Sequence, residues 1–318
     1  MMGYTSVPVF DGTQKLKLQY PAISLKGRVR MKLVRIAGDT FYVPGMTNVV
    51  VYKDYVIDPG KNRHVDWARP EASFGRPISC ALVTHAHEDH FWHAGDLRSA
   101  GTAIYAPAGE RAMIEDIAIH TNGFFLWVKP PEGMKPWYFR GRSCPVDGAV
   151  EGLEMPLKVV PLPGHTDAQV GYMTPDGVLV AADAMVAKDV WDTTGIFYFT
   201  DVLETRRTLK GIMDNRAGAD WVLPTHTGLL TGEQASELAE VNMRGLDRLE
   251  KLVLDAAGQK GASTEAVTTK VCLALDMKDE FSVHLVGETM VRAFLHSLYE
   301  AGAIGYELKG HQVLWRVI

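Results

Sequence analysis

The chain has 318 residues, enough for one large domain or for a large domain with a smaller one attached. Its residues are 47% hydrophobic and 22% charged, which is typical of a globular protein and excludes a disordered, collagen-like or coiled-coil chain. A formal net charge of −5 excludes a chain-wide basic field for nucleic acid or an anionic membrane. Neither a secretory signal nor an apolar run of about 18 residues is evident, so we expect a soluble, cytoplasmic protein with no membrane partner.

Strand-like runs and helical patterns alternate over the first 230 residues. Between Arg28 and Asp58 the strand-like runs are VRMKLVRI, TNVVVY and YVIDPG, and the continuous apolar run ISCALVT follows at residues 78–84. Helical patterns cover FWHAGDLRSA, AGERAMIEDIAIH and residues 202–215. Further strand-like runs are TAIYAP, LKVVPLP, QVGYMT, VLVAADA and WVLPT. This part of the chain therefore predicts sheets interleaved with helices.

The character of the sequence changes near Thr231. Three helical patterns follow, over residues 238–257, STEAVTTKVCLAL and HLVGETMVRAFLHSLYEAG. The run IGYELKGHQVLWRVI then predicts a hairpin that turns at Lys309-Gly310. Three helices and a hairpin are the order of a winged-helix module. We therefore predict two domains, a catalytic domain over residues 1–230 and a winged-helix-like domain over residues 231–318.

Four of the eleven histidines fall within nine residues directly after ISCALVT, and they are His85, His87, His90 and His93. Side chains two residues apart in an extended turn point the same way, so His85 and His87 can bind one ion. Asp89 and His90, in the next bend, can face a second ion. Imidazole nitrogens and carboxylate oxygens are ligands that zinc, iron and manganese all accept.

Three further candidate ligands each end a strand-like run, and they are His165, Asp183 and His226. Because burying an unpaired carboxylate is costly, an acid directly after an apolar strand needs a partner, and a metal pair supplies one. We expect all seven residues to meet on one rim of the sheet. His93 fits no ligand position and is interpreted as lining the pocket or as structural. We favour a structural role for the remaining histidines considered, which are His64, His120, His284, His296 and His311.

The run from His85 to His90 matches the HxHxDH motif of the metallo-β-lactamase-fold superfamily. The later His, Asp and His also follow in the same order as in that superfamily. Over residues 30–230 the chain resembles this superfamily. The resemblance implies an α/β fold, an αββα sandwich in which two mixed β-sheets pack face to face with helices outside.

The resemblance also assigns seven ligands to two metals. The first metal is bound by His85, His87 and His165, the second by Asp89, His90 and His226, and Asp183 bridges the two. Two zinc ions, or iron or manganese in their place, lie about 3.5–4 Å apart in such a centre and hold one bridging hydroxide at neutral pH. Asp89 is the expected catalytic residue, since it is placed to orient this hydroxide or take its proton.

Residues at single positions indicate which branches of the superfamily the chain resembles most. Lactam-cleaving members commonly have Cys or His where this chain has Asp183, so antibiotic hydrolysis is not favoured. Diiron oxygen-reducing members tend to place an acid where this chain has His87, which favours hydrolysis over redox chemistry. Lactonase-like members have a Tyr soon after the bridging acid, but here the third residue beyond it is Val186. The ligand positions thus resemble those of glyoxalase II-like members, and the layout of a lactamase-like domain followed by a winged-helix-like module resembles β-lactamase-like protein 2-like members.

Aromatic and basic residues are concentrated between Phe124 and Arg142. The aromatics are Phe124, Phe125, Trp127, Trp137, Tyr138 and Phe139, and the cations are Lys129, Lys135, Arg140 and Arg142. This segment predicts either a flap that excludes water and attracts an anionic substrate or a homodimer contact. A second aromatic set, which could form the opposite wall, is Trp191, Phe197, Tyr198 and Phe199.

The leading hypothesis is a dinuclear hydrolase of an ester or thioester-type small-molecule substrate with an anionic portion. The alternative is a metal-dependent endoribonuclease of single-stranded RNA, which some similar two-domain members are. A third hypothesis is a DNA-binding regulator with a vestigial metal site, and the complete ligand set argues against it. From Glu233 to Ile318 the chain has 13 acidic and 9 basic residues, so we do not expect nucleic acid to bind there.

Overall fold

The structure is a computed structural model that describes residues 33–135, 141–193 and 197–318. Within these residues the first sheet has seven strands in sequential order. They are β1 (Val34–Ala37), β2 (Thr40–Val43), β3 (Val49–Tyr52), β4 (Tyr55–Ile57), β5 (Cys80–Leu82), β6 (Ala103–Ala106) and β7 (Gly148–Ala149). Strands β1 to β4 pair antiparallel and β4 to β7 pair parallel, so the sheet is mixed.

The second sheet has five described strands in the order β12-β11-β10-β9-β8. They are β8 (Lys158–Pro161), β9 (Val170–Met173), β10 (Val178–Ala182), β11 (Trp221–Pro224) and β12 (Leu230–Thr231). Strands β10 and β11 pair parallel and the other neighbours pair antiparallel, so this sheet is also mixed. Because β10 and β11 are parallel, the residues that follow them lie at the same edge.

Helices cover the outer faces of both sheets. On the first sheet they are α1 (Pro70–Phe74), α2 (Glu88–Phe91), α3 (Ala94–Ser99), α4 (Arg111–Glu115) and α5 (Ile117–Phe124). On the second sheet they are α7 (Val202–Met213) and α8 (Gly232–Ala257), and α6 (Lys188–Thr193), α9 (Thr264–Ala274) and α10 (Phe281–Glu300) pack against α8. Short 3-10 turns lie at Glu132–Met134 and Val150–Gly152.

Strand β3 explains why central strands of this fold have continuous apolar sequences. Side chains alternate between the two faces of a strand. Val49 and Val51 pack into the core beneath the helices of the first sheet, whereas Val50 and Tyr52 pack into the core between the sheets. Tyr172 of β9 lies in this middle core and donates its hydroxyl to the carbonyl of Val83, 2.8 Å away. The layers confirm the predicted αββα sandwich.

Some local predictions differ from the structure. The run AGERAMIEDIAIH forms two helices because Asp116 is extended, with φ −139° and ψ 99°. Its carboxylate accepts a hydrogen bond from the amide of Ala118 and thereby caps α5. Strand β2 was not singled out in the sequence, although it pairs with both β1 and β3.

The C-terminal residues follow the predicted order of helices and hairpin. Helix α8 begins with a capping box between Thr231 and Gln234 and ends at Gly258, whose φ is 61°. A third sheet has the order β13-β15-β14, with strands β13 (Ala262–Ser263), β14 (Ile304–Lys309) and β15 (Gln312–Val317). The turn of the hairpin lies at Gly310 and His311, one residue later than the predicted Lys309-Gly310, because Lys309 still pairs with Gln312 and both turn residues have positive φ, 57° and 62°. The winged-helix type of this part stays a prediction.

The C-terminal helices share one apolar core with the second sheet. Leu246 of α8 and Phe294 of α10 belong to the same buried cluster as Leu179 of β10 and Val222 of β11. The division of the chain into two domains at residue 231 stays a prediction. Residues on both sides of that position belong to the same buried apolar cluster. None of the described helices combines the length and the apolar character needed to cross a bilayer.

Two helical glycines test this packing. A Cβ on Gly245 of α8 would lie 2.5 Å from the ring of the buried Trp191, whereas a Cβ on Gly211 of α7 meets nothing closer than 3.8 Å. Alanine favours a helix over glycine by about 1 kcal/mol, but overpacking a core costs about 1–3 kcal/mol. We expect Gly245→Ala to lower the free energy of urea unfolding and Gly211→Ala to raise it or leave it unchanged. Equal stability of the two variants would contradict the contact with Trp191.

Candidate metal centre

The HxHxDH run lies where the chain leaves the first sheet. Strand β5 ends at Leu82, His85 follows in the next turn, and the extended His87 is the residue before α2. Asp89 and His90 lie in the first turn of α2. The amide of Val170 in β9 donates to the carbonyl of Thr84, 3.1 Å away, so the second sheet meets the first at this edge.

The second sheet contributes the remaining candidate ligands at the same edge. His165 lies in the loop between β8 and β9, Asp183 directly follows β10, and His226 follows β11. Positive φ angles at Gly164 (125°) and Ala182 (48°) turn the chain beside His165 and Asp183. A Cβ on Gly164 would lie 2.5 Å from the backbone nitrogen of Thr205, so only glycine fits there. All seven residues predicted from the sequence therefore meet at one edge of the sandwich.

Four side chains form a first group, in which His87 is central. Its Nδ1 lies 3.0 Å from Nε2 of His85 and 2.9 Å from Nε2 of His165. Oδ2 of Asp183 lies 3.5 Å from Nε2 of His165. The four ligand atoms all lie within 4.8 Å of one another, which is the spacing that one cation requires.

Asp89, His90 and His226 form a second group with the same compactness. Oδ2 of Asp89 lies 3.3 Å from Nε2 of His226 and 3.8 Å from Nε2 of His90. Asp183 also reaches this group, because its Oδ1 lies 3.5 Å from Nε2 of His90 and its Oδ2 lies 3.4 Å from Nε2 of His226. Asp183 therefore contacts both groups.

Two buried polar atoms at the junction of the groups lack a hydrogen-bond partner among the described residues. They are Nε2 of His90 and Oδ1 of Asp183, which are 3.5 Å apart without hydrogen-bond geometry. Buried polar groups are normally paired, and leaving a carboxylate oxygen unpaired is costly. A cation between these atoms would satisfy both. The donor set of imidazole nitrogens and carboxylate oxygens thus fits a pair of divalent metals.

The electrostatics of the two groups differ. Burial lowers the pKa of His85, His87 and His165, so these rings are neutral and carry the lone pair that a metal needs.

In the second group the carboxylates dominate. Burial opposes charge on His90, but Asp183, Asp89 and Asp58 together raise its pKa to about 10. Burial likewise opposes charge on His226, and Asp183 and Asp89 raise the pKa of that ring. These imidazolium partners hold the pKa of Asp183 and of Asp89 below the ordinary range despite burial. Bound cations would take the place of these imidazole protons.

Asp58 orients the ring of His90 through Nδ1, the nitrogen that faces away from the other candidate ligands. This carboxylate is 1% exposed, and its Oδ2 lies 2.9 Å from Nδ1 of His90. It also accepts hydrogen bonds from the amide and the hydroxyl of Thr84, each at 2.9 Å. A carboxylate on the far nitrogen of a ligating histidine fixes the tautomer and strengthens the ligand. The sequence rule that an acid after an apolar strand needs a partner applies to Asp58 as well as to Asp183, but it was not applied there.

Backbone carbonyls orient two other rings in the same way. Nδ1 of His165 lies 2.8 Å from the carbonyl of Tyr198, and Nδ1 of His226 lies 2.7 Å from the carbonyl of Met46. In each case Nδ1 donates to the carbonyl, so Nε2 is the nitrogen that faces the centre and would bind a metal after losing any proton it carries.

Glu110 ties the two ligand loops together. Its carboxylate accepts hydrogen bonds from the amide of Ala86 at 3.0 Å, the hydroxyl of Thr166 at 2.6 Å and the amide of Ala168 at 3.2 Å. Burial raises the pKa of this carboxyl group, although the three hydrogen bonds oppose the rise. Because Ala86 lies between two ligands and Thr166 follows another, Glu110 fixes the first group as a unit.

His120 belongs to the site, although the sequence favoured a structural role for it. Its ring stacks on His87 with centroids 5.3 Å apart, and burial lowers its pKa to about 4. Phe124, one helical turn later, contacts His120 at 5.3 Å. The i, i+4 spacing of His120 and Phe124 on α5 is the sequence signal that could have identified it.

His93 lies apart from the ligand groups. Its ring stacks on Trp67 with centroids 4.8 Å apart, and its Nδ1 lies 2.7 Å from Oδ2 of Asp96. These contacts hold the start of α3 against the segment that precedes α1, so a structural role fits His93.

The described part of segment 124–142, for which the sequence predicts a flap or a dimer contact, begins beside the centre. Phe124 stacks on Tyr198 with centroids 5.7 Å apart, and Trp127 is 74% exposed. Lys129 is exposed, and Lys135 pairs with Glu132 at 2.8 Å. Four of the flap residues named from the sequence lie outside the described residues, namely Trp137, Tyr138, Phe139 and Arg140.

The second aromatic set divides between site and core. Phe197 stacks on His165 with centroids 5.4 Å apart, and Tyr198 contacts His87 at 5.0 Å. Phe199 packs instead against Phe294 in the core, and Trp191 is buried against α8. Only Phe197 and Tyr198 of this set therefore line the centre.

Comparison with known proteins identifies the family. Residues 42–226 match the model of the metallo-beta-lactamase superfamily. A beta-lactamase domain protein from Burkholderia ambifaria shares the fold with a TM-score of 0.67 at 17% identity, covering 94% of this chain and 98% of its own.

A metallo-beta-lactamase family protein from Thermus thermophilus has a TM-score of 0.59 at 18% identity, covering 91% of this chain and 98% of its own. No curated protein matches the sequence. The family model spans more than half of the chain, so the chain belongs to the metallo-beta-lactamase superfamily and is a hydrolase of that superfamily.

Proposed function

We propose that this chain is a dinuclear metal-dependent hydrolase of an ester or thioester-type substrate that has an anionic portion. The observation that carries the proposal is the pair of compact ligand groups that share Asp183. His85, His87 and His165 would hold one cation, and Asp89, His90 and His226 would hold the other. Zinc is the metal we expect, and iron or manganese would suit the same ligands.

Divalent cations held by these ligands would lower the pKa of a bound water toward about 7 and would polarise the oxygen of the bond to be cleaved. The side chains of the chain then have separate tasks. Asp58, Glu110 and the carbonyl of Tyr198 hold the ligands in place. Oδ2 of Asp89 lies 3.3 Å from Nε2 of His226, and this carboxylate would orient the attacking water or take its proton. Tyr198 and Phe197 exclude solvent beside the first group.

Two exposed cations support an anionic substrate. Lys129 follows the exposed tip of the flap, and Arg142 is 73% exposed at the other end of the flap, 3.8 Å from Asp96. Exposed cations on this face of the protein would raise the association rate of an anionic substrate through the field that they create, without contact to the metal centre.

Cleavage of single-stranded RNA is the second candidate. The exposed Trp127 beside Lys129 favours it, since bases stack on aromatic rings and phosphates pair with cations.

A substrate panel tests the proposal directly. Protein whose metal content has been measured would be assayed with esters, thioesters, lactones and single-stranded RNA, each at two salt concentrations. We expect turnover of esters or thioesters, with lower KM for substrates that have a carboxylate or phosphate. RNA cleavage that falls steeply with salt, without thioester or ester turnover, would favour the endoribonuclease instead.

Asp183→Asn tests the shared ligand. Replacing one carboxylate oxygen by an amide removes the charge that both cations would share. Since loss of outer partners alone costs about 10–100-fold in metal affinity or activity, we expect a larger loss here, with fewer than two metals retained. Metal analysis and turnover of the same preparation would check this. Two retained metals with full turnover would contradict the assignment of Asp183.

Asp58→Asn tests orientation without removing a ligand. The amide can still accept from Thr84, but its NH₂ group no longer accepts the Nδ1 proton of His90. We expect metal affinity or kcat to fall by about 10–100-fold while the fold is retained. Competition with a chromogenic chelator measures the affinity. The matched control is Asp54→Asn, which changes an exposed carboxylate near Ser79 and should leave metal affinity unchanged.

A further inference from the structure

The loop that joins β2 to β3, residues 44–48, contacts two candidate ligands of the second group. The carbonyl of Met46 accepts a hydrogen bond from Nδ1 of His226 at 2.7 Å. The hydroxyl of the next residue, Thr47, donates to the carbonyl of Asp89, also 2.7 Å away. Asp89 lies in α2 beside the first sheet, whereas His226 follows β11 of the second sheet. The 44–48 loop therefore joins two candidate ligands that come from different sheets.

Asn48 attaches this loop to the chain on both sides of His226. Its amide donates to the carbonyl of Thr225 at 3.2 Å, and its Nδ2 donates to the carbonyls of Pro224 and Thr227 at 3.1 and 2.8 Å. Asn48 is buried, which strengthens these hydrogen bonds relative to bonds in water. His226 is thus fixed to the loop through the residues before and after it as well as through its own ring.

Asn62 holds the same loop from the segment that follows β4. This side chain is 1% exposed, and its Nδ2 donates to the carbonyls of Val43 and Thr47 at 2.9 and 3.0 Å. A Cβ on Gly45 would lie 2.4 Å from this Nδ2, so the lack of a side chain there lets Asn62 reach both carbonyls. The backbone of Thr47 is therefore held in place while its hydroxyl donates to Asp89.

The carbonyl of Asp89 is enclosed on more than one side. The amide of Lys61 donates to it at 2.8 Å, and a Cβ on Gly60 would lie 1.8 Å from its oxygen. The hydroxyl of the fully buried Thr47 supplies a second hydrogen bond to the same oxygen. A carbonyl oxygen has two lone pairs, so both are used here. Asp89 cannot move away from the 44–48 loop without breaking the bond to Thr47.

The first ligand group has a separate support. Glu110 joins Ala86, which lies between two ligands of that group, to Thr166, which follows the third. The hydrogen bonds described for Glu110 thus serve the first group, and those described for the 44–48 loop serve the second. Each group combines ligands from both sheets, and each has its own connection across the sheets.

We propose that Thr47 is a positioning residue of the second ligand group, whose hydroxyl fixes Asp89 relative to His226 and thereby sets the metal affinity of this group alone. The inference rests on the metal binding in the proposed function. Loss of an outer partner of a metal ligand costs about 10–100-fold in affinity. Because Thr47 bonds to the backbone of Asp89 and not to its carboxylate, we expect the lower end of this range.

Two parent variants separate the half-sites. His85→Ala keeps the second group intact, and His226→Ala keeps the first. Competition with a chromogenic chelator gives the zinc affinity of each parent, with and without Thr47→Val, which removes the hydroxyl and keeps the shape of the side chain. We expect Thr47→Val to weaken zinc binding about tenfold in the His85→Ala parent and to leave it unchanged in the His226→Ala parent. Thr47→Ser keeps the hydroxyl and should restore the affinity, and Thr47→Ala should give the same pattern as Thr47→Val.

Two matched variants show whether the effect is specific. Thr102 is also buried, and its hydroxyl donates to the carbonyl of Ile78 at 2.9 Å, before β5 and so at the edge opposite the ligands. Thr102→Val should leave the zinc affinity of both parents unchanged. Thr166→Val removes the hydroxyl that donates to Glu110 and should give the reverse pattern, with weaker binding only in the His226→Ala parent.

Hydrogen exchange of the metal-free protein provides a readout that needs neither metal nor turnover. The amides of Lys61 and Asn48 donate to Asp89 and Thr225, on the two sides of the loop. Loss of one hydrogen bond should speed the exchange of both amides about fivefold in Thr47→Val, as measured by NMR, and Thr102→Val should not change it.

The outcomes separate this inference from the proposed function. If the wild-type protein binds fewer than two zinc ions but both amides exchange faster in Thr47→Val, the dinuclear function fails and the positioning of Asp89 by Thr47 stands. Unchanged zinc affinity after Thr47→Val in the His85→Ala parent, in a protein that does bind two zinc ions, would overturn the inference. An equal loss of affinity in both parents would also overturn it, because Thr47 would then support the whole edge and not one group.

Discussion

Backbone hydrogen bonds join the two sheets at the edge where the ligand residues lie. The amide of Val170 donates to the carbonyl of Thr84 at 3.1 Å, and the amide of Asn48 donates to the carbonyl of Thr225 at 3.2 Å. The side chain of Asn48 adds bonds to the carbonyls of Pro224 and Thr227 at 3.1 and 2.8 Å. Residues that follow β5, β10 and β11 are thereby fixed at one place. A metal centre of two half-sites requires this rigid meeting of sheets.

Asp183 is the carboxylate that contacts both groups of candidate ligands at this rigid edge. A buried carboxylate without partners would be expensive, and here its neighbours are imidazoles from both sheets. Bound cations would satisfy the same carboxylate and also the unpartnered Nε2 of His90. Folding alone therefore leaves a polar site that the proposed pair of divalent ions would complete, and metal binding would then contribute to the stability of the sandwich edge.

The meeting of the seven candidate ligands could be predicted from the sequence because each follows a strand, and strand ends share an edge. His85, His87, Asp89 and His90 are also close in sequence, so their proximity needs no knowledge of the fold. The surrounding residues depended on tertiary structure. His120 reaches His87 only because Asp116 breaks the chain between α4 and α5 and redirects α5. Tyr198 reaches the same ring from a loop of the other sheet, which no local pattern indicates.

Helix α10 is connected to the candidate metal centre through Phe199 and Tyr198. Phe294 of α10 packs edge to face on Phe199 at 5.5 Å, and both are fully buried. Phe199 directly follows Tyr198, whose carbonyl orients His165. Helix α10 therefore supports the segment that positions a candidate ligand. Because α10 shares its core with the second sheet, changes in the packing of α10 should reach Tyr198 and the candidate metal centre.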